Sequence, residues 1–421
     1  MKLVSSAASC AALFILLAAC GPAPRPAAPP AAPPAASAPG PDRAALAALG
    51  RQAFFDPSLS ASGRQSCASC HSPANAYGPP DGLSTQPGGE RMDRQGLRSV
   101  PSLRYTMART PRWSKEYQRD PIERAIEIDT APMGGFARDG RFDTLHEQAR
   151  APLFDPLEMA NRDDAALAAK LRAAPYASEF ARVLGTAALA DDARAVAGLT
   201  SALERFELDD PSFAPFSSRF DRYLKGQVPL SPQELRGMAA FVDPQKGNCA
   251  SCHRVQAGAD GSPPLFTDFS FSALGVPRNA RLAANADPRF FDEGLCGPLR
   301  KPDAVWKEKF CGQFKTPTLR NVAARQTLMH NGVFHDLASA VRFYAERDIH
   351  PERWYPRGAN GRVDRFDDLP PGHRANVDQL TPPMDRKPGD KPALDDGDVA
   401  DIVAFLGTLT DADVAPAGHA H

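Results

Sequence analysis

The chain of 421 residues is most informative first in what it lacks. Beyond its first twenty positions no apolar run reaches the ~18 residues that a membrane-spanning helix needs, which excludes a polytopic membrane protein. Charge bias is also missing, with 49 Lys and Arg against 50 Asp and Glu for a net charge of −1. No basic block is present to follow a phosphate backbone, so no nucleic-acid partner is expected. Trp is scarce, at three residues, and no strand-rich segment is evident.

The first twenty residues read as an export signal. Lys2 supplies a small positive region, and Ala11 to Ala19 is apolar but too short to span a bilayer. The run Leu17-Ala18-Ala19-Cys20 is similar to a bacterial lipobox. That resemblance implies a signal peptide over 1–19, cleavage before Cys20 and a lipid on its thiol. The mature protein would then be periplasmic and anchored to the outer membrane. A plain secretory signal with an Ala-rich cleavage site would also place it outside the cytoplasm. From Pro22 to Pro41, nine of twenty residues are Pro and eight are Ala. Such a stretch buries no core, so 20–41 is expected to be an extended tether.

Export decides how the cysteines are read. Cys67-Ala68-Ser69-Cys70-His71 and Cys249-Ala250-Ser251-Cys252-His253 are both C-x-x-C-H, the c-type haem attachment pattern. Two thiols on one short turn can add to the two vinyl groups of one porphyrin, and the following His then sits beneath the iron. A zinc ribbon would place its paired Cys about 15–20 residues apart, whereas here most of a domain intervenes. Two covalent haem c groups are expected, on Cys67, Cys70 and His71 and on Cys249, Cys252 and His253. Cys296 and Cys311 remain, and an oxidising compartment favours a disulfide between them over free thiols.

The rest reads as helix and loop. Apolar spacing predicts helices over Asp42–Phe54, Asp163–Ala174, Asp191–Glu207, Phe216–Lys225, Asp336–Arg347 and Asp398–Leu409. Ser231-Pro232-Gln233-Glu234 is a capping box that opens another, to about Val242. The expected fold is mainly α, with two cytochrome c-like helical domains, each built around a covalent haem, and long loops. The boundaries are 42–215 and 216–410, with a flexible tail over 411–421.

Several stretches resemble the bacterial di-haem cytochrome c peroxidases and their MauG-like relatives. They are Asp139-Gly140-Arg141, Leu145 through Met159, Lys315 through Val322, Met329-His330-Asn331-Gly332 and Val399 through Leu409. The resemblance covers roughly 46–410 and implies a peroxide-reacting haem on His71 and an electron-transfer haem on His253. The family's distal Gln, Pro and Glu fall on Gln148, Pro152 and Glu158. Glu158 is therefore implied as the acid/base that moves a proton between the peroxide oxygens, and Gln148 as a hydrogen-bond donor in that pocket. Without the resemblance, both would read as surface helix residues.

The branch is marked by absences. Many cytochrome c peroxidases carry a distal His in the loop after the first motif, but no His lies between His71 and His146. Met92, Met107 and Met133 are conceivable caps, though nothing marks them. Fourteen residues after His330, where classical peroxidases have an axial Met, stands Tyr344, as in the MauG-like branch. Helix spacing alone would make Tyr344 a core residue on a face with Leu337, Ala340 and Val341. The usual interhaem Trp is replaced by Arg138. The calcium positions fall on Ser99, Arg325 and Thr327, which weakens the case for calcium, although backbone carbonyls could still bind it. Phe343 through Pro356 is similar to a MauG-like subgroup associated with methanobactin operons and copper-protein gene pairs. Trp354 and Tyr355 within it read either as surface relays or as packing.

The resemblance implies an exported di-haem oxidoreductase that activates hydrogen peroxide at the first haem. Through the second it would withdraw electrons from a protein partner, such as a small copper protein, and oxidise aromatic side chains of that partner. The alternatives are a peroxidase fed by a small cytochrome c or cupredoxin, and a di-haem electron carrier without peroxide chemistry.

Overall fold

The computed structural model describes residues 41–117, 131–301 and 308–415. The signal, the lipobox and nearly all of the tether lie outside the described residues. So does the end of the expected tail.

Helix α1 (Arg43–Phe54) starts where Asp42 accepts a hydrogen bond from Ala44 N. A single turn, α2 (Cys67–Cys70), carries the first Cys pair. Then come α3 (Leu145–Phe154), α4 (Asp164–Ala173), α5 (Ala177–Leu184) and α6 (Asp192–Asp209). Asp163 and Asp191 cap α4 and α6. Further on lie α7 (Arg219–Leu224), α8 (Pro232–Val242), α9 (Leu337–Glu346) and α10 (Asp396–Gly407). The capping box at Ser231 is formed as expected. Helix α7 begins three residues later than Phe216, because Ser218 and Asp221 build their own capping box and Phe216 takes a positive φ of 45°. Helix α5 was not foreseen.

Among the described residues the strand content is three short antiparallel ribbons: β1 (Pro87–Gly88) with β2 (Arg94–Gln95), β3 (Ser114–Tyr117) with β4 (Ala131–Met133), and β5 (Phe271–Ser272) with β6 (Phe314–Lys315).

Among the described residues two large apolar cores hold the helices, beside a small cluster of Phe271, Leu295 and Phe310. The first gathers Leu49, Phe54, Leu171, Phe180, Leu199 and Phe206, and the second gathers Phe220, Phe241, Phe266, Phe343, Ile402 and Phe405. Each is built on a close helix crossing at a glycine. A Cβ on Gly50 of α1 would lie 1.9 Å from the Ala202 carbonyl oxygen of α6, and one on Gly237 of α8 equally close to that of Asp401 in α10. Only a residue without a side chain permits such an approach.

The expected tail boundary needs correction. Asp411 and Val414 are buried, and Asp411 accepts hydrogen bonds from Arg104, Tyr105 and Asn321. The anchored chain therefore extends at least to Val414.

Candidate active site

The two C-x-x-C-H turns are supported alike. His71 Nδ1 lies 3.0 Å from the Tyr77 carbonyl oxygen, and His253 Nδ1 lies 2.9 Å from that of Phe266. A carbonyl only accepts, so Nδ1 carries the proton and Nε2 keeps the lone pair that a metal would take. Burial drives both rings toward the neutral form, His71 to about 4. Tyr77 and Phe266 hold left-handed backbone, with φ of 54° and 53°, uncommon for bulky residues and expected where function fixes a carbonyl.

Behind each turn lies a repeat that the C-x-x-C-H pattern does not include. Pro101-Ser102-Leu103-Arg104 and Pro317-Thr318-Leu319-Arg320 occupy equivalent places. Ser102 Oγ donates to the Ala76 carbonyl and Thr318 Oγ1 to that of Leu265, each at 2.6 Å, which braces the residue just before Tyr77 and Phe266. Arg104 and Arg320 are both buried, each in an ion pair with a buried Asp, at 2.9 Å to Asp411 and 2.9 Å to Asp221. The P-[S/T]-L-R spacing was present in the sequence as the signal that would have found them.

Around the first motif, α3 carries Gln148 and Pro152 one turn apart, both half-buried. Pro152 has no N–H for the Gln148 carbonyl, so the helix ladder is broken there. The chain leaves α3 through a turn in which Leu157 N donates to Asp155 Oδ1 at 2.8 Å and Glu158 N donates to the Asp155 carbonyl at 2.9 Å. Burial, helped by the charge of Asp155 and opposed by Arg141, pushes the Glu158 carboxyl up to about 7. Its backbone is tied toward the first motif through one short segment: Gly89 N donates to the Glu158 carbonyl at 2.7 Å, and Gln65 Nε2 donates to the neighbouring Pro87 carbonyl at 3.2 Å and lies 3.5 Å from Cys70 Sγ. His146 faces away, with Nε2 3.0 Å from Thr200 Oγ1 on α6.

The second motif borders a largely apolar cavity of about 290 Å³, lined among others by Cys249, Cys252, His253, Tyr344 and Met384. Tyr344 thus shares a wall with the motif, and burial holds its phenol well above the usual range. Arg138, Lys315 and Arg325 line the same cavity. Burial depresses all three cations, Lys315 to about 7. Met329 and Met107 also reach it, and Met107 packs against the first core as well. Trp354 packs on Phe334 and Phe343. Tyr355 is buried and donates to the Gly275 carbonyl. Tyr355 is thus no surface residue, while Trp354 is half-buried. Cys296 and Cys311 form the expected disulfide.

The family model for di-haem cytochrome c peroxidase matches residues 44–229. The methylamine utilization protein MauG of Paracoccus denitrificans is 36% identical over 381 residues, 87% of this chain and 89% of that one. The chain belongs to the di-haem cytochrome c peroxidase and MauG family. Its fold matches the diheme peroxidase BthA of Burkholderia thailandensis, with a TM-score of 0.78 and 45% identity over 91% of this chain and 89% of that one. A MauG-like protein associated with microbial copper homeostasis matches with a TM-score of 0.61 and 25% identity, over 89% of this chain and 91% of that one.

Two c-type haems, which the family implies, fit these residues. Each motif offers a Cys pair on one turn and an imidazole whose Nε2 is left free by a carbonyl on Nδ1. The apolar cavity suits a porphyrin face, and its cations suit haem carboxylates.

Proposed function

We propose that the protein is an exported di-haem oxidoreductase that reduces hydrogen peroxide at the first motif and takes the electrons from a protein partner through the second. In this reading 42–215 and 216–414 are the two haem domains, and the N-terminal signal and lipid anchor hold the enzyme at the periplasmic face of the outer membrane. Peroxide gains two electrons and two protons to give two waters, while the partner loses two electrons.

Haem iron, held by His71, supplies the redox centre at which peroxide would react. Glu158 does the proton work: as a carboxylate it takes the proton from one peroxide oxygen, and as the acid it returns it to the departing oxygen. A carboxyl near neutrality is populated in both forms. Gln148 would orient the peroxide by a hydrogen bond, and Pro152 breaks the helix so that the Glu158 turn can form. At the second motif His253 and Tyr344 would hold the iron, a hard oxygen donor favouring the oxidised metal. The partner is proposed to be a small protein, of the copper-protein kind, whose aromatic side chains are oxidised.

The observation that supports this reading is the segment that joins Glu158 to the first motif, in which Gly89 N donates to the Glu158 carbonyl and Gln65 Nε2 reaches both the Pro87 carbonyl and Cys70 Sγ; burial, which raises the carboxyl to about 7, agrees with it. An electron carrier has no use for such a group. A peroxidase fed by a small cytochrome c or cupredoxin would use the same proton chemistry, and the two differ in what is oxidised.

The first test is covalent stoichiometry. Denatured protein should retain two c-type haems per chain, and one after Cys249→Ala with Cys252→Ala. Zinc in their place, or no haem, would contradict the proposal.

A further inference from the structure

Three carbonyl oxygens and two hydroxyls from distant parts of the chain converge beside the cavity of the second motif. They are Ser99 O, Val100 O and Thr327 O, with Ser99 Oγ 3.2 Å from Thr327 Oγ1. Ser99 and Thr327 are both buried. Buried carbonyls need a partner, and a cluster of them is the usual material of a calcium site. The family resemblance puts calcium at these positions.

The partner here is internal. Arg325 Nη2 donates to Val100 O at 2.7 Å and reaches Ser99 Oγ at 3.4 Å, while its Nε donates to Thr327 O at 3.3 Å. Arg138 Nε donates to Ser99 O at 2.8 Å. All three carbonyls therefore already face a guanidinium. Calcium requires six to eight oxygens, usually with carboxylates among them. The acids nearby are committed elsewhere: Arg98 pairs with Asp139 at 2.8 Å and with Asp292 at 2.6 Å. A divalent ion set among these carbonyls would lack carboxylate ligands and meet two like charges. Calcium does not fit this site.

We infer that the guanidinium groups of Arg138 and Arg325 replace a divalent cation as the clamp between the two haem motifs. Together they bring the same two positive charges. The clamp has a mechanical role on both sides. Val100 precedes Pro101-Ser102, and Ser102 Oγ donates to the Ala76 carbonyl beside Tyr77, whose own carbonyl faces His71 Nδ1. Ser99 N donates at 2.8 Å to the carbonyl of His330, a residue on the cavity wall of the second motif. Holding 99–101 to 325–330 by side chains of the chain itself fixes the brace behind the first motif relative to the cavity of the second. The geometry of the two centres then depends on no ion.

The inference does not depend on the peroxide chemistry, and its test reads metal content and unfolding. Wild-type holoprotein passed through a desalting column should carry no stoichiometric calcium by elemental analysis. Its thermal midpoint and haem absorption should be unchanged by EGTA or by added calcium chloride. Arg325→Ala strips two carbonyls of their donor and should melt several degrees lower. Calcium chloride or guanidinium chloride at millimolar concentration should restore at least half of that loss. One calcium per wild-type chain, or a wild-type midpoint that EGTA lowers, would overturn the inference. So would an Arg325→Ala variant that melts like wild type, or one that neither cation rescues. If Arg325→Ala fails to fold, the wild-type calcium measurements still decide.

Discussion

The Gly89 N–H donates to the Glu158 carbonyl at 2.7 Å, so the β1–β2 ribbon rests directly on the backbone of the residue assigned the proton transfer. Beside it, a Cβ on Gly88 would lie 2.1 Å from the Leu157 carbonyl oxygen and 3.0 Å from Glu158 Cα. These atoms are backbone and cannot swing away. Gly88→Ala should push the ribbon off the turn, costing about 1–3 kcal/mol. A displacement near 1 Å can cost about 100-fold in rate. The peroxide reaction should therefore slow by at least about tenfold with both haems retained, as pyridine haemochrome assay and stopped-flow absorption would show. A wild-type rate in Gly88→Ala would mean that the ribbon does not position Glu158.

Tyr344 separates two branches of the family. With Tyr as a ligand, Tyr344→Phe should change the low-spin EPR signal of the second haem, and Tyr344→Met should raise its potential, since Met favours the reduced iron. An unchanged spectrum in Tyr344→Phe would leave Tyr344 as a core residue. Met384 and Met329 would then be the ligands to test. Met384 is the less free of the two, because Arg347 Nη1 lies 3.3 Å from its sulfur.

The Asp221–Arg320 pair is wholly buried on both sides. Asp221→Ala leaves a buried guanidinium unpaired and should cost about 3–5 kcal/mol in chemical denaturation. Burial works to raise the Asp221 carboxyl, but the Arg320 bonds and charge outweigh it and leave it below its ordinary value. The stabilisation is therefore present above the unfolded carboxyl pKa and is lost as pH falls through the folded one. Asp413, 55% exposed against Arg104, is the control. Asp413→Ala should cost only about 0–1 kcal/mol. Equal effects of the two substitutions would contradict the burial argument.

What the sequence disclosed was local. The C-x-x-C-H spacing is dictated by one porphyrin, and Asp42, Asp163, Asp191 and Ser231 mark helix starts within four residues of chain. What stayed hidden depends on distant contacts. Gly88 matters only because Leu157 lies against it. Arg138 and Arg325 read as departures from a pattern, until both are found on carbonyls from 99, 100 and 327. Phe216 looked helical by spacing, but Ser218 offered a better cap. Tyr355 looked available, but its hydroxyl is satisfied inside the protein.

Glu158 is the residue on which the functional account rests. Its carboxyl is raised to about 7 mainly by burial. A raised acid makes its full contribution to stability below its unfolded pKa and loses it as pH rises through the folded value. Glu158→Gln should therefore match wild type in stability at about pH 5 and exceed it at about pH 8. The base form begins the reaction, so the wild-type rate should rise with pH through about 7. The decisive measurement is stopped-flow reaction of the diferric protein with stoichiometric hydrogen peroxide, for wild type and Glu158→Gln, across this pH range. The account predicts a haem absorption change without prior reduction in wild type. It predicts a rate ~100–10,000-fold lower and without the inflection near neutrality in Glu158→Gln. A diferric protein inert to peroxide, or a variant with the wild-type rate and pH profile, would contradict it.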